Sequence, residues 1–325
     1  NSSTKIILMS ATMETEHIAD YFNTIQPPRV LDLDVKRPFD TKVSYLDEFN
    51  KHDFFISITD AIDLENPGID YRLYTAGINI LTMLIMKEVK AFLVFLPGWH
   101  EIETFRMALL RNPDIVSNNF NIILLHSTMG TDNLKELYDK TNEKKIVLAT
   151  NVAESSITIP DIDFVIDYCL SKHMETDTST NLTQLKLVYA SKTNLKQREG
   201  RVGRTKQGQV IRMIFEKHYK ELANESPAEM QRTCLETVVL KAKRLNMGKP
   251  VDILGLALNP PTRSAIHDAI LVLKELGALT RYNRDCFNYE DGDLTFAGRM
   301  MSKLPIDVRL SKIILFGYIF KVLDD

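Results

Sequence analysis

Short apolar runs alternate with amphipathic segments through the middle of the chain. Runs of buried-strand type lie at 91–95, 120–125, 146–150, 164–168 and 209–215. Helical patterns lie at 77–89, 99–110 and 133–140, and a Thr- and Leu-rich stretch at 174–189 predicts a hairpin. Strands that alternate with helices across short loops predict a parallel sheet covered by helices on both faces, which is an α/β fold.

The start of the chain has a pattern of its own. Residues 5–10 form an apolar run of buried-strand type, and a helical pattern follows through Phe22. A buried strand needs neighbouring strands, so this run predicts that the chain begins inside a larger domain.

After Pro227 the pattern becomes helix-rich. Helical segments are predicted at 228–245, from the Pro260-Pro261 pair to Gly277, and at 311–322. A short polar hairpin is expected around Asp291-Gly292. Helices followed by such a hairpin predict a winged-helix module, and the last helix is expected to open a larger helical domain.

Composition narrows the class of protein. The 325 residues are 44% apolar and 26% charged, which is typical of a globular protein with two or three domains. A net charge of -3 argues against a protein that coats polyanions, so any nucleic-acid site must be local. The three cysteines lie too far apart for a CxxC metal site, and their odd number argues against a disulfide framework. No apolar run approaches the 18 or so residues of a membrane span, and no membrane partner is expected.

The segment 197–204 reads Gln-Arg-Glu-Gly-Arg-Val-Gly-Arg and is called the arginine block below. Its two glycines would each cost a helix roughly 1 kcal/mol relative to alanine. If the block is helical, Gln197, Arg201 and Arg204 share one face. Guanidinium groups match phosphate oxygens, so this face predicts a phosphate clamp. The alternative is a solvated basic helix end.

Small polar side chains follow several of the predicted strands. They are Ser10 and Thr12, Gly98 with its free backbone N–H, Ser127, and then Thr150, Asn151, Ser156 and Thr158 in one loop. Such groups bind phosphates and riboses without reading bases. In parallel sheets ligands bind at the carboxyl ends of strands, where we expect these candidates and the arginine block to lie. Taken singly, each also fits a helix cap or a turn, and His126 fits a structural histidine.

Two nucleotide-binding signatures are missing from the 325 residues. There is no GxxxxGK[ST] phosphate loop, and no Asp-Glu pair follows a strand in a position to hold magnesium. The arginine block can therefore complete a nucleotide site, but the chain is not expected to build one alone.

In order along the chain, the segments 10–12, 95–98, 125–127, 150–158 and 197–204 resemble motifs III, IV, IVa, V and VI of the DEAH-box RNA helicases. The segments 227–245 and 294–305, with the helix after Pro261, resemble the winged-helix domain of that family and the start of its helical ratchet domain. The sequences of residues 189–194 and 159–161 resemble those of the tudor-domain-containing germline branch of the family, the Spindle-E type.

The resemblance implies two RecA-like domains with ATP between them and RNA across their top. The chain would then hold the end of the first RecA-like domain at 1–36, a linker region at 37–75, the second RecA-like domain at 76–222, a winged-helix domain at 223–292 and the start of the ratchet domain at 293–325. ATP is the implied cofactor, with Mg²⁺ held mainly by the missing part of the first RecA-like domain.

The resemblance also implies roles for single residues. Arg201 and Arg204 would be arginine fingers on the transferring phosphoryl group, and Gln197 would position the attacking water or the phosphate. Nucleotide contacts would come from Ser10, Thr12, Tyr138, Ser156, Thr158 and Asp161. RNA phosphates would be held by Gly98, Ser127, Thr150 and Asn151. For Tyr138, an amphipathic helix position is the alternative.

The chain departs from the family pattern at two of these places. Pro160 stands where many members have an acidic residue that contacts the ribose, and Asp161 follows one position later. Glu199 brings a carboxylate into the arginine block, where we expect it to pair with Arg198.

The implied activity is that of an ATP-dependent 3′-to-5′ RNA helicase with weak sequence specificity, acting in germline piRNA and transposon silencing. Its expected partners are RNA, ATP, the missing part of the first RecA-like domain and protein cofactors. Its expected location is the cytoplasm, in perinuclear germ granules, with the nucleus left open. Two alternatives remain: an ATP-gated RNA clamp that separates no strands, and a winged-helix nucleic-acid binder with an inert α/β domain.

Overall fold

The computed structural model describes residues 5–9, 15–23, 27–33, 39–49, 62–87, 89–128, 132–138, 144–154, 157, 159–177, 180, 182–283 and 286–323. The chain divides into two compact units. The first unit comprises Asn1–His173 and Lys186–Ser226, and the second comprises Met174–Leu185 and Pro227–Asp325.

The first unit is an α/β structure. Its sheet strands are β1 (Thr41–Tyr45), β2 (Ala91–Phe95), β3 (Asn121–Leu125), β4 (Lys145–Ala149), β5 (Phe164–Asp167) and β8 (Gly208–Arg212). Its helices are α1 (Thr15–Asn23), α2 (Tyr71–Ile85), α3 (Trp99–Leu110), α4 (Pro113–Ser117), α5 (Asp132–Tyr138), α6 (Lys192–Glu199) and α7 (Glu216–Glu221). Strands β6 (Leu170–Asp177) and β7 (Leu182–Tyr189) form a separate two-stranded sheet.

The six strands form one parallel sheet in the order β1-β8-β5-β2-β4-β3. Every residue of β2 and β4 is buried, because successive side chains enter different cores. Phe92 and Val94 belong to one hydrophobic cluster, whereas Leu93 and Phe95 belong to another. The apolar runs read from the sequence are therefore central strands covered on both sides, and the predicted α/β fold is confirmed.

Strand β1 was not predicted. It lies inside the region assigned to the linker and pairs with β8 from Thr41↔Gly208 to Tyr45↔Arg212. Because β1 is an edge strand, its sequence Thr-Lys-Val-Ser-Tyr has no continuous apolar run. Helix α2 also begins earlier than its apolar pattern, at Tyr71, where the Asp70 side chain accepts a hydrogen bond from the Arg72 N–H.

The strand predicted at the start of the chain is wrong for the described residues 5–9. They form no strand, and Ile6, Ile7 and Met9 are each at least 75% exposed. An apolar run becomes a buried strand only beside other strands, and the described part of the chain supplies none there. The helix predicted to follow is present as α1.

The second unit is mainly helical. Its helices are α8 (Glu229–Arg232), α9 (Glu236–Arg244), α10 (Pro250–Gly255), α11 (Arg263–Glu275), α12 (Phe296–Met301) and α13 (Val308–Phe320). Strands β9 (Tyr282–Asn283) and β10 (Cys286–Phe287) form its antiparallel pair. The hydrophobic core brings together α9, α11 and α12, with Leu240, Ile270 and Met301 among its buried residues.

The structure of the second unit differs from the sequence-based predictions in two elements. The helix expected at 228–245 is split into α8 and α9, and the described antiparallel strands are β9 and β10, which both precede Asp291-Gly292. Gly277 ends the α11 region as predicted, with a left-handed φ of 75°. The domain boundaries and the winged-helix assignment stay predictions. Within the described ranges, no helix has the length and apolar character needed to cross a bilayer.

Candidate functional site

Four candidate residues meet at one edge of the sheet. Gly98 follows β2, Ser127 follows β3, and Thr150 and Asn151 follow β4, which lies between those two strands. The edge is held by backbone hydrogen bonds, since the Thr150 N–H donates to the Leu125 carbonyl at 3.2 Å. We call Gly98, Ser127, Thr150 and Asn151 the strand-end surface.

Gly98 allows no larger side chain without a rearrangement. It is buried in extended backbone (φ −168°) at the N-terminus of α3. A Cβ there would lie 2.7 Å from Lys172 Nζ and 2.9 Å from Glu101 Oε2. Those two groups form an ion pair at 2.8 Å, so the glycine leaves room for a salt bridge beside the strand end.

The polar groups of the strand-end surface are available to a ligand. Thr150 is buried and its hydroxyl makes no capping bond to the short 3₁₀ helix Asn151–Ala153. Asn151 and Ser127 are exposed. A hydroxyl, an amide and a second hydroxyl on neighbouring strands have the chemistry that holds phosphates of a nucleic-acid backbone.

The arginine block is helical only in its first half. Helix α6 starts at Ser191, whose hydroxyl accepts the Asn194 N–H at 3.3 Å, and ends at Glu199 with Gly200 as its C-cap. Arg201 and Arg204 lie in the turn that follows. The expected single helical face of Gln197, Arg201 and Arg204 is therefore wrong.

Gly203 redirects the chain after the end of α6. Its φ is 75°, in the left-handed region, and a Cβ there would lie 3.1 Å from the Phe39 carbonyl oxygen. The absence of a Cβ at Gly203 therefore permits the close approach of the Phe39 backbone.

The end of the block does not lie on the strand-end surface. Gly203 adjoins Thr41, the first residue of β1, and Thr205 Oγ1 donates to Asp161 Oδ1 at 3.3 Å, shortly before β5 begins. The expectation that the arginine block lies at the carboxyl ends of the strands is thus wrong for its last residues, Gly203 and Arg204. The physical reason is the chain path, because the segment from α6 to β8 returns to the end where the strands start.

Arg198 is a buried structural residue, only 1% exposed. Its Nε donates to Glu154 Oε1 and its Nη1 to Asp167 Oδ1, both at 2.8 Å, and its guanidinium lies 5.0 Å from the centre of the Phe95 ring. Burial alone would lower the pKa of Arg198, but the charges of Asp167 and Glu154 raise it above its ordinary value. Arg198 therefore joins α6 to the loop after β4 and to the end of β5.

The expected pairing of Glu199 with Arg198 is wrong. Glu199 Oε2 accepts a hydrogen bond from Nη2 of Arg212 at 3.1 Å. Arg212 is buried, donates to the Tyr45 hydroxyl at 2.9 Å and lies 4.3 Å from the centre of the Tyr219 ring. The Glu199 carboxylate points to the sheet because the buried guanidinium of Arg212 binds it there.

Arg201 has donors left for a ligand. Its Nη1 donates to the Ile157 carbonyl at 3.1 Å, whereas its buried Nε has no hydrogen-bond partner among the described residues. Burial and then the charge of Arg204 lower the pKa of Arg201, with Glu154 opposing them. Arg204 is exposed and donates from Nε to the Gly200 carbonyl at 3.1 Å. A half-buried cation beside a second cation is stabilised by an anion, and phosphate fits the unfilled donor.

The remaining candidates have mixed outcomes. Gln197 is half-buried on α6, Asp161 is exposed with a left-handed φ of 58°, and Tyr138 ends α5 with its side chain 52% exposed. Ser10, Thr12, Ser156 and Thr158 lie outside the described residues. Their roles stay predictions.

Sequence reasoning missed the two carboxylates that hold Arg198. The signals were present, since Glu154 is the one charged residue between Thr150 and Pro160, and Asp167 interrupts the apolar strand β5. Both positions place a charge where burial is expected, which predicts a buried partner of opposite sign.

No cluster of His, Cys, Asp and Glu in the described part of the chain could hold a metal ion. The described residues therefore do not form a Mg²⁺ site by themselves.

Comparison with known proteins agrees with the α/β fold of the first unit. Residues 76–206 match the helicase conserved C-terminal domain. The chain is 39% identical, over its whole length, to the probable ATP-dependent RNA helicase spindle-E of Aedes aegypti, and 41% identical, over 99% of its length, to that of Drosophila pseudoobscura pseudoobscura. It covers 25% and 24% of these relatives, so it spans about a quarter of their length.

Solved structures show the same fold. The Escherichia coli DEAH/RHA helicase HrpB superimposes with a TM-score of 0.69 at 22% identity, over 91% of this chain and 34% of that one. A second structure, of the E. coli DExH-box NTPase HrpB, gives 0.68 at 23% identity, over 94% and 34%. Residues 76–206 therefore match the helicase conserved C-terminal domain, and the chain shares the fold of these two solved structures.

Proposed function

We propose that the chain forms the second RecA-like half of an ATP-dependent RNA helicase. The observation that carries the proposal is the unfilled, buried Nε of Arg201 beside the exposed Arg204. Two guanidinium groups on a turn fixed by Gly203 can meet the charge that develops on a transferring phosphoryl group. Gln197, Tyr138, Ser156, Thr158 and Asp161 are the further nucleotide contacts of the proposal, with Ser10 and Thr12 from the preceding segment.

The fixed position of the turn supports this assignment. Arg198 holds α6 to Glu154 and Asp167, and the next turn donates from Arg201 to the Ile157 carbonyl. Because these bonds order the backbone on both sides of Arg201, little reorganisation is needed when the phosphoryl group arrives. Preorganised donors of this kind stabilise a transition state more than flexible ones do.

The RNA would lie on the strand-end surface. Ser127, Thr150 and Asn151 offer hydroxyl and amide groups without a basic cluster, which suits weak, sequence-independent contacts to phosphate and ribose. Opening and closing of the gap to the first RecA-like domain would then move the grip on RNA during each ATP cycle, in the 3′-to-5′ direction. The germline silencing role, the protein cofactors and the location in cytoplasmic or perinuclear granules belong to this proposal through the resemblance to the Spindle-E branch.

Arg201→Ala in the full-length protein tests the nucleotide half. We expect RNA-stimulated ATP hydrolysis to fall by about 10³- to 10⁵-fold in kcat, since arginine fingers contribute on this order. Binding of RNA should persist. Arg111→Ala, an exposed arginine at the end of α3, is the matched control and should leave turnover unchanged. An Arg201→Ala protein with full ATPase activity would overturn the assignment.

A clamp that hydrolyses ATP without separating strands is the second candidate. The same phosphate contacts serve both functions, so the strand-end surface favours neither. Displacement of a labelled strand from an RNA duplex, measured beside RNA-stimulated ATPase, distinguishes them: ATPase without displacement supports the clamp.

A further inference from the structure

Trp99 is the only tryptophan of the chain, and its side chain is 43% exposed. It begins α3, directly after Gly98 of the strand-end surface. The helix is anchored in the core by Ile102, Phe105 and Leu109, each fully buried. Packing of α3 therefore does not account for a large aromatic ring at this exposed position.

The ring of Trp99 meets that of His126 across a strand end. The ring centres are 5.8 Å apart at an interplanar angle of 61°, an edge-to-face contact. Trp99 follows β2 and His126 follows β3, and β4 lies between these two strands. The outer strands of such a triplet are roughly 10 Å apart, so the aromatic pair bridges the end of β4, where Thr150 and Asn151 follow.

The histidine is held in place. His126 Nδ1 lies 2.8 Å from Thr128 Oγ1 and accepts the Thr128 N–H at 3.3 Å. A ring fixed in this way limits rotation of the indole that packs against it. The pair is thus an ordered aromatic surface beside free hydroxyl and amide groups.

We propose that Trp99, supported by His126, is a stacking platform for a nucleobase of single-stranded RNA bound on the strand-end surface. The inference rests on the proposed RNA-binding function and adds a contact to the base. Aromatic rings next to phosphate-binding groups are the two components of single-strand sites, because every base has a π face. The platform reads no base edge, yet a purine covers more of the indole than a pyrimidine does.

The single tryptophan makes the test direct. Intrinsic fluorescence of the 325-residue chain is titrated with oligoadenylate, oligouridylate and an abasic ribose-phosphate oligomer of the same length. Binding of each oligomer is measured separately by anisotropy of an end label. We expect quenching by oligoadenylate, weaker quenching by oligouridylate, and binding of the abasic oligomer without a change in Trp99 emission.

Variants of Trp99 test whether its side chain is responsible for the difference between oligomers with and without bases. Trp99→Ala should weaken oligoadenylate binding about tenfold and leave binding of the abasic oligomer unchanged, which also reports that the variant is folded. Trp99→Phe keeps an aromatic face and should stay within about threefold of the parent chain. Met107→Ala is the matched control, since Met107 lies on the same helix, is 44% exposed and is two turns away from the strand-end surface.

The outcomes separate this inference from the function on which it rests. Oligoadenylate binding with unchanged Trp99 emission, equal quenching by the abasic oligomer, or full affinity of Trp99→Ala would each overturn the platform and leave the phosphate contacts standing. If the parent chain binds none of the oligomers, the RNA-binding proposal fails and the platform fails with it.

Discussion

The three arginines of the arginine block have three different surroundings. Arg198 is enclosed by Glu154, Asp167 and the Phe95 ring, Arg201 is half-buried with an unfilled donor, and Arg204 is exposed. Identical side chains within seven residues thus serve different purposes. Only the last two are available to a phosphate.

Removal of Arg198 should destabilise the first unit. Arg198→Met keeps most of the side-chain volume but leaves two buried carboxylates without their cation, and breaking a buried pair typically costs about 3–5 kcal/mol. The free energy of unfolding from urea denaturation measures this loss.

Arg204→Met is the control from the same octamer. Its guanidinium is exposed, so its loss should leave the urea midpoint unchanged. Equal midpoints for Arg198→Met and the parent chain would show that the buried ion network contributes nothing to stability.

At the scale of elements, two glycines of the second unit predict opposite effects of one substitution. In α12, a Cβ on Gly298 would overlap the carbonyl of Ala278, whose carbon would be 2.9 Å away. At the end of α10, a Cβ on Gly255 would meet nothing within 4 Å. The first helix packs its backbone against the α11–β9 turn, whereas the second leaves its last residue open.

Gly298→Ala should therefore lower the free energy of unfolding by about 1–3 kcal/mol, the usual effect of overpacking. Gly255→Ala should raise it by about 0.4–1 kcal/mol through the smaller entropy of the unfolded chain. Chemical denaturation of the two variants beside the parent chain checks both signs. A stabilised Gly298→Ala protein would contradict the packing of α12 described above.

The elements also show which strands and helices can be predicted from the sequence. Buried central strands such as β2 and a helix whose buried residues recur at helical spacing, such as α3, were predicted with the bounds they have. Edge strand β1 was not, because its polar side chains leave no apolar run and its partner residues on β8 are 167 positions away along the chain. Pairing over such a distance leaves no local pattern.

The candidate site could also be predicted only in part from the sequence. Glycines and hydroxyls after apolar strands located the strand-end surface, since strand direction and sheet order place them together. The turn at Arg201 was not foreseen, because the left-handed φ of Gly203 depends on the approach of Phe39, a tertiary contact. The pairing of Glu199 with Arg212 is likewise a tertiary contact, between α6 and β8.

At the scale of the whole molecule, the chain should hydrolyse no ATP by itself. Its 325 residues contain no GxxxxGK[ST] loop, and the described residues hold no cluster for a metal. The proposed arginine fingers, Arg201 and Arg204, could lower a barrier only when a nucleotide is held opposite them. Phosphate release from the isolated chain, with and without RNA, should equal the rate in buffer.

Release that depends on Arg204 would contradict this expectation and would require a complete nucleotide site within the chain. The Arg201→Ala chain distinguishes such activity from a contaminating ATPase, because a contaminant does not respond to the substitution.

The burial of Arg198 has a consequence for reading genetic variation in this segment. A cell degrades protein that unfolds more often, and a loss of 1–2 kcal/mol can change abundance several-fold. Substitutions at Arg198 should therefore reduce the abundance of the folded protein. Substitutions at Arg204 should instead reduce the proposed catalytic activity of each molecule. A phenotype that maps to this octamer identifies a catalytic defect only when the protein level is measured beside it.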